Sequence, residues 1–477
     1  MNVKILNNSQ INDIHSNSLK ILEKIGIIIP HEEILNRFNN IGAMVDLKQK
    51  KVKIPPDIVN ELLSKAGRNF TIYGRDSTKK AEFGVGKRNY NTSGGQAYWI
   101  DNRTGNRRFA RFEDIATAVK LADALDQITI PGAMVDPHEI PVEWRCVKVA
   151  SEVIKNTTKP INFWFYDRAS TKYLVEISIK LRGDEKNAQK YPFFYPLFEP
   201  VSPLSFPFHG IDLLFETAQL KMPVMIGPMA QMGMTSPATI AGTLAQENAE
   251  ILAGVCITQL IREGIPICYG GICHAFDMKT IQIIFSGPEQ VIFSIAMSQL
   301  GKFYGFPVYI NAGLTDSKIV DAQAGLECGL TLAMGAAAGA DIFGHMGICG
   351  ADQASSLDML ILQSEVISFV ESINREIKFD EDTFAFNVIN ETSEENNFLN
   401  KQHTVDHYRK ELWFPTLLDR DFYDSWKEKG ALSMERRCSE RREEILKSHV
   451  PEPLDDDISR DLDKISKEAE KNLKKRF

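Results

Sequence analysis

The sequence predicts an α/β protein built as a (β/α)8 barrel with helical extensions at both ends. Two observations carry this reading. From about residue 90, a short β-prone or Gly-flanked run is followed by a helix-period segment, eight times over; such alternation implies parallel strands with crossover helices. On either side of that stretch the pattern is helical, which divides the 477 residues into a helical region over 1–85, a barrel over 86–378 and a connection with helices over 379–477.

At the N-terminal side, Ile11, Ile14, Ile21, Leu22 and Ile25 fall near helical spacing and Gly26 supplies a left-handed stop. A short second helix carries Ile34, Leu35 and Phe38 and stops at Gly42; a third begins after Pro55 and Pro56 and stops at Gly67. The predicted barrel strands are Asn91–Ala97, Ile128–Val135, Ile161–Phe165, Phe193–Phe198, Val224–Ile226, Ile267–Tyr269, Val308–Asn311 and Asp341–His345. Between them lie amphipathic segments. Phe112, Ile115, Ala116, Val119 and Ala122 share one face, and a long helix is expected from the hydroxyl cap and proline of Thr235-Ser236-Pro237 to Gly264. Eight units favour closure over an open sheet, although a doubly wound sheet stays open on pattern alone. Beyond residue 378 comes an acidic, Asn-rich connection over 380–400. Charged helices of mixed sign follow, expected to pack on the barrel or on a second copy of the chain as a homo-oligomer.

Composition narrows the function. Hydrophobic residues make up 43% and charged residues 25%, an ordinary globular mix. The formal net charge of −8 argues against nucleic acid as the partner, since phosphate backbones demand a basic footprint. No apolar run approaches the roughly 20 residues of a membrane helix. The polar start from Met1 to Gln10 lacks the regions of a secretory signal, so the seven cysteines are expected as reduced thiols in the cytoplasm. No Gly-x-Gly-x-x-Gly follows the first strand and no phosphate loop is present, so no nucleotide is expected.

A barrel places its site at the C-terminal ends of the strands. Those ends offer Gln96, Tyr98 and Trp99; Asp136 and His138; Trp164 and Tyr166; Glu199 and Ser202; Met229 and Gln231; Tyr269 and His274; Asn311 and Asp316; Phe343 and His345. Aromatic and amide groups dominate this rim, and Lys and Arg are scarce. It suits a cation that donates no hydrogen bonds, such as a quaternary ammonium against aromatic faces. The cage is read as Tyr98, Trp164, Phe343 and Tyr269, with His345, Gln96 and Asn311 as polar partners for the rest of the ligand. Cys268, Cys273 and His274 offer a metal-site alternative, but their spacing is not a standard zinc spacing and a fourth ligand is missing. No metal is therefore expected.

Several blocks resemble the trimethylamine methyltransferase family of corrinoid-dependent enzymes. They are Ser93-Gly94-Gly95-Gln96-Ala97, Glu199-Pro200-Val201-Ser202-Pro203-Leu204 and Gly233-Met234-Thr235-Ser236-Pro237. To these add Ala241–Gln246 with Asn248-Ala249-Glu250, Leu314–Lys318 running into Asp321-Ala322-Gln323, and His403-Thr404 with Trp413–Arg420. The resemblance implies a (β/α)8 barrel that moves a methyl group from a methylated amine to the cob(I)alamin of a separate corrinoid protein. It also implies a pyrrolysine in the enzymes that use trimethylamine, and this sequence contains only ordinary residues. Members without pyrrolysine look like quaternary-amine demethylases, the best-characterised being those for glycine betaine. The expected reaction is glycine betaine to dimethylglycine, with proline betaine, carnitine and choline as alternatives and a non-catalytic quaternary-amine binding protein as the rival. No catalytic acid is assigned, because a quaternary nitrogen leaves as a neutral amine.

Overall fold

The structure is a computed structural model that describes residues 2–393 and 397–474. The chain enters through helix Asn8–Lys20, capped reciprocally by Asn7 and Gln10, whose end widens into a π-type turn over Ile21–Ile25. Gly26 ends it at φ +80°; a Cβ there would sit 2.5 Å from the carbonyl oxygen of Val52. Helices Glu32–Asn40 and Pro56–Lys65 lie where the spacing predicts them. The region also holds strands that the sequence reading missed. Ile27–Ile28, Lys51–Lys53 and Met44–Asp46 form a small antiparallel sheet, and Phe70–Tyr73 pairs with Lys80–Phe83 as a hairpin. Strands of two to four residues are too short for alternation to register as a pattern.

At the centre is a parallel sheet in the spatial order Asn89–Thr92, Ile342–Met346, Val308–Asn311, Ile267–Gly271, Val224–Ile226, Leu197–Phe198. Ile130, Tyr195, Met225, Cys268, Tyr309 and Ile342 meet in one cluster on its concave face, so the sheet is curled. Six predicted strands are regular, four of them at nearly the expected bounds. The segments Ile128–Val135 and Ile161–Phe165 are not regular strands. They carry only isolated parallel bridges, including Asn91 to Ile130 and Gly132 to Asn162, while Ile161 N donates to Phe193 O at 3.4 Å. Pro131 interrupts the first of these segments because it has no N–H to give a ladder. Each predicted strand segment is followed by a helix on the convex face: Phe112–Ala124, Val142–Lys155, Arg168–Arg182, Phe208–Thr217, Ile240–Ile261, Pro288–Phe303, Ala322–Ala338 and Leu357–Ile373. The fifth starts later than predicted. Its cap is Thr239, whose hydroxyl accepts from Gly242 N, and Thr235-Ser236-Pro237 belongs to the loop before it.

The hairpin closes one end of the curl. Tyr73 N donates to Pro192 O, Gly67 bridges to Pro266, and Gly84 N donates to Asp341 Oδ1, all at the starts of central strands. Phe70, Ile72, Ala81 and Phe83 fill the concave face from that side. The other end, where the strands finish, is left for a site.

The tail packs on its own chain. Helix Met434–Ser448 reaches back through Arg442 to Asp358, and helix Asp456–Leu473 through Asp463 to Lys155 and Asn472 to Tyr173. Its anchor is Glu365, buried on helix Leu357–Ile373. The Glu365 carboxylate accepts from the backbone N–H groups of Thr416, Leu417 and Leu418 at 2.9–3.1 Å and from the Thr416 hydroxyl at 2.6 Å. Removing it strands three backbone donors and the Thr416 hydroxyl. Glu365→Ala is expected to cost about 2–4 kcal/mol, read as a lowered denaturation midpoint, and Glu365→Gln, which keeps one acceptor, is expected to cost less.

Candidate functional site

At the ends of the strands lies a cavity of about 510 Å³ whose walls include Trp164, Tyr166, Glu199, Ser202, Met229 and Gln231. All six belong to the rim read from the sequence. A larger groove of about 770 Å³ runs between the first helix and helix Ile240–Ile261, on the convex face and away from the strand ends.

Trp164 is held by two glycines. Its Nε1 donates to Gly95 O at 2.8 Å, and a Cβ on Gly94 or Gly95 would lie 3.1–3.3 Å from the indole ring. The small residues of Ser93-Gly94-Gly95 thus make a seat for the indole. His345 tilts toward the same ring at 5.8 Å between centroids. It gets there through a register shift between Phe343 and Met346, a local irregularity that re-aims a side chain. His345 Nε2 pairs with the Tyr309 hydroxyl at 2.9 Å, and its Nδ1 is buried without a partner. Burial lowers its pKa to about 4, so the imidazole is neutral at pH 7. A Tyr309 hydroxyl that donates to Nε2 would put the imidazole proton on Nδ1.

Two acids stand close to these groups. Glu199 faces the open cavity and is walled by protein elsewhere; burial, with Asp352 close by, pushes its carboxyl up to about 7. Burial raises Asp352 to about 6 against the bond it accepts from Gln96 Nε2 at 2.8 Å. Gln96 therefore serves an acid. Further round, the Tyr166 hydroxyl donates to Asp136 Oδ1 at 2.7 Å, and Arg145 donates to the other oxygen at 2.8 Å. That pairing leaves Arg145 committed to Asp136.

The loops that carry these groups are tied to helix Ile240–Ile261. Glu250 accepts from the Ser202 hydroxyl at 2.6 Å and Leu204 N at 2.8 Å; Glu247 accepts from Ala230 N at 3.1 Å and Ile272 N at 3.2 Å. Gln246 donates to Thr235 O and to Glu250, at 2.8 and 3.0 Å. Burial raises both carboxyls above their ordinary range. Gln246 and Glu250 fall in the blocks quoted for the family resemblance and Glu247 lies between those blocks, but nothing in their spacing marks them as loop anchors.

The structure brings together Trp164, His345 and Gln96 of the residues read from the sequence. Asn311 lies in the same buried layer, where its Nδ2 pairs with His274 Nε2 at 3.0 Å and its Oδ1 has no partner. Three cage assignments are corrected. Tyr269 and Phe343 point to the convex face: Tyr269 donates to Asn248 on the long helix, and Phe343 stacks on Tyr90 at 5.0 Å. Side chains alternate along a strand, so the residues facing inward are their neighbours, Cys268 and Ile342. Tyr98 lies on a separate sheet, stacked on Phe109 at 4.8 Å beneath Arg107. The metal alternative separates for the same reason. Cys268 packs in the concave cluster and Cys273 in the main core, and burial raises both thiols. Tyr309 and Asp352 were missed; one is a mid-strand aromatic and the other sits on a glycine-flanked loop with no motif around it.

The arrangement can hold a small cation against an indole, a phenol and a carboxylate, with a neutral imidazole donor nearby. A family profile described as trimethylamine methyltransferase (MTTB) matches residues 1–472. A glycine betaine methyltransferase of Desulfitobacterium hafniense (strain Y51) is 32% identical over 96% of this chain and 95% of its own. Trimethylamine methyltransferases MttB of Desulfitobacterium hafniense (strain DSM 10664 / DCB-2) and of Methanosarcina thermophila are each 29% identical, over 96% of this chain and 92% and 96% of theirs. The crystal structure of the hydroxylamine MtmB complex superposes over 93% of each chain with a TM-score of 0.50 at 11% identity, a likeness of fold alone.

A cation held beside these raised carboxyls would bind in a pH-dependent way. Glu199 gains its charge as pH rises through about 7, so affinity for tetramethylammonium is expected to rise between pH 6 and 8. A partly solvated charge pair contributes roughly 0.5–1 kcal/mol, or about two- to fivefold in Kd. Calorimetry at several pH values checks this, and Glu199→Gln should flatten the profile.

Proposed function

The chain belongs to the trimethylamine methyltransferase family, and on that premise we propose that it takes a methyl group from a quaternary amine and passes it to the cob(I)alamin of a separate corrinoid protein. One observation carries the choice of a quaternary amine. The cavity wall combines Trp164, Tyr166 and Glu199, and no Lys or Arg is among the residues that line it. A permanent cation with no proton to donate is well served by aromatic faces and a diffuse negative field.

Glycine betaine is the leading substrate, giving dimethylglycine. Its support is the similarity to a glycine betaine methyltransferase and a chain free of pyrrolysine. In this reading Trp164 and Tyr166 hold the trimethylammonium group, and His345 Nδ1–H donates to the carboxylate. Gln96 sets Asp352, and the anchored loops exclude water. The reduced corrinoid supplies a cobalt nucleophile whose electron pair forms the new bond to carbon. The electron pair of the N–CH₃ bond stays on nitrogen, so a neutral tertiary amine departs and no protein group has to protonate it. The work left to the chain is alignment, which contributes up to roughly 7–11 kcal/mol when ideal. The same reading takes the curled sheet and its bridging segments as a closed (β/α)8 barrel, in a cytoplasmic enzyme.

A second reading is favoured by Glu199 and Asp352. Two acids beside the cavity disfavour a substrate carboxylate, and a quaternary amine without one, of the choline type, would meet no repulsion.

The test is loss of cob(I)alamin absorbance across glycine betaine, choline, tetramethylammonium and trimethylamine. Glycine betaine is expected to be the best donor. Trp164→Ala should harm all quaternary donors alike. His345→Ala should lower kcat/KM for glycine betaine roughly 10- to 150-fold, the scale of one hydrogen bond to a charged group, while tetramethylammonium is unaffected. Choline turned over in preference to glycine betaine would establish the second reading, and trimethylamine as the sole donor would overturn both.

A further inference from the structure

Outside the cavity, one place among the described residues gathers metal-ligating side chains: Asp382, His403 and His407, whose ligand atoms all lie within 4.8 Å of one another. The two histidines stand one turn apart on helix Gln402–Glu411, and their rings stack 4.2 Å apart at 25°. Both turn Nε2 to the same residue. His407 Nε2 lies 3.2 Å from Asp382 Oδ2, and His403 Nε2 lies 3.1 Å from the carbonyl oxygen of Asp382. Asp382 itself sits on the short helix Glu381–Phe384.

We propose that Asp382, His403 and His407 bind a zinc ion that clamps the short helix to helix Gln402–Glu411. The donor set is right for it. Imidazole and carboxylate oxygen are ordinary zinc ligands, and a His-x3-His pair on one helix face aims two nitrogens at one point. Zinc–ligand distances of about 2.0–2.2 Å place tetrahedral ligands roughly 3.4 Å apart, so the group needs only a small contraction, with water in the fourth position. The surroundings also call for a clamp. Neither helix has a buried residue, and between them only Thr392 is buried among the described residues. Apolar side chains here face outward, among them Phe379, Phe384, Phe386 and Leu399. A segment without a core of its own is where a structural metal does most. A surface Asp–His pair alone contributes little to holding two helices together.

The test uses untagged full-length protein stripped with chelator and titrated with zinc by calorimetry. Amide exchange over 380–411 is followed with and without zinc. One zinc per chain is expected, with slower exchange in 402–411 on binding. His403→Ala and His407→Ala should each weaken zinc binding by more than about 100-fold, since loss of a supporting group alone costs 10–100-fold. Equal zinc uptake by wild type and the His403→Ala/His407→Ala double variant would overturn the proposal, because the ion would then bind elsewhere. So would wild-type exchange in 402–411 that zinc does not slow, a result that holds even if a variant fails to fold. Uptake of another divalent metal in place of zinc would overturn the choice of ion.

Discussion

Two carboxylates on one buried helix hold the mouth of this protein together. Helix Ile240–Ile261 is buried almost throughout from Thr243 to Gln259, a setting in which a carboxyl is costly unless hydrogen bonds meet it. Glu247 and Glu250 are met by backbone N–H groups from loops after three different strands. The bargain runs both ways. Those loops are irregular, and their amides would have no partners of their own without the helix. The result is a rigid rod to which three otherwise independent segments are fastened, and Glu199, Ser202, Met229 and Gln231 take their positions from it.

With the mouth fixed, the polar groups beside the cavity divide the electrostatic labour. The imidazole of His345 is deep enough to stay neutral, so it contributes direction without charge. The acids sit where burial weakens their ionisation without abolishing it. Such a site has a field that depends on what enters, because a bound cation draws the proton off its nearest carboxyl. Ligand charge and site charge are therefore coupled.

What could be read from the sequence follows from the length scale of each signal. Helices of ten residues and more repeat their pattern several times, and every predicted crossover helix is present. Trp164 and the other five cavity-wall residues were legible because they sit at or just past predicted strand ends. Tyr269 and Phe343 show the limit. A rim reading accurate to one residue still chooses the wrong face half the time, because a single step along a strand inverts the side chain. His345 escaped that rule through a local shift in register, and its flanking glycines hinted at it. Tyr309 and the anchoring glutamates had no such flag. Their roles exist only once distant segments are folded against each other.

The hairpin formed by Phe70–Tyr73 and Lys80–Phe83 has a consequence for traffic. It stoppers the curl at the strand starts, and its phenylalanines pack into the concave face from that side. A vessel corked at the base fills and empties through its neck. On the proposed function, a small amine and a bulky acceptor protein would share that neck, and the small one would have to enter first. Order of addition would then be written into the architecture by a plug on the far side of the molecule from the chemistry.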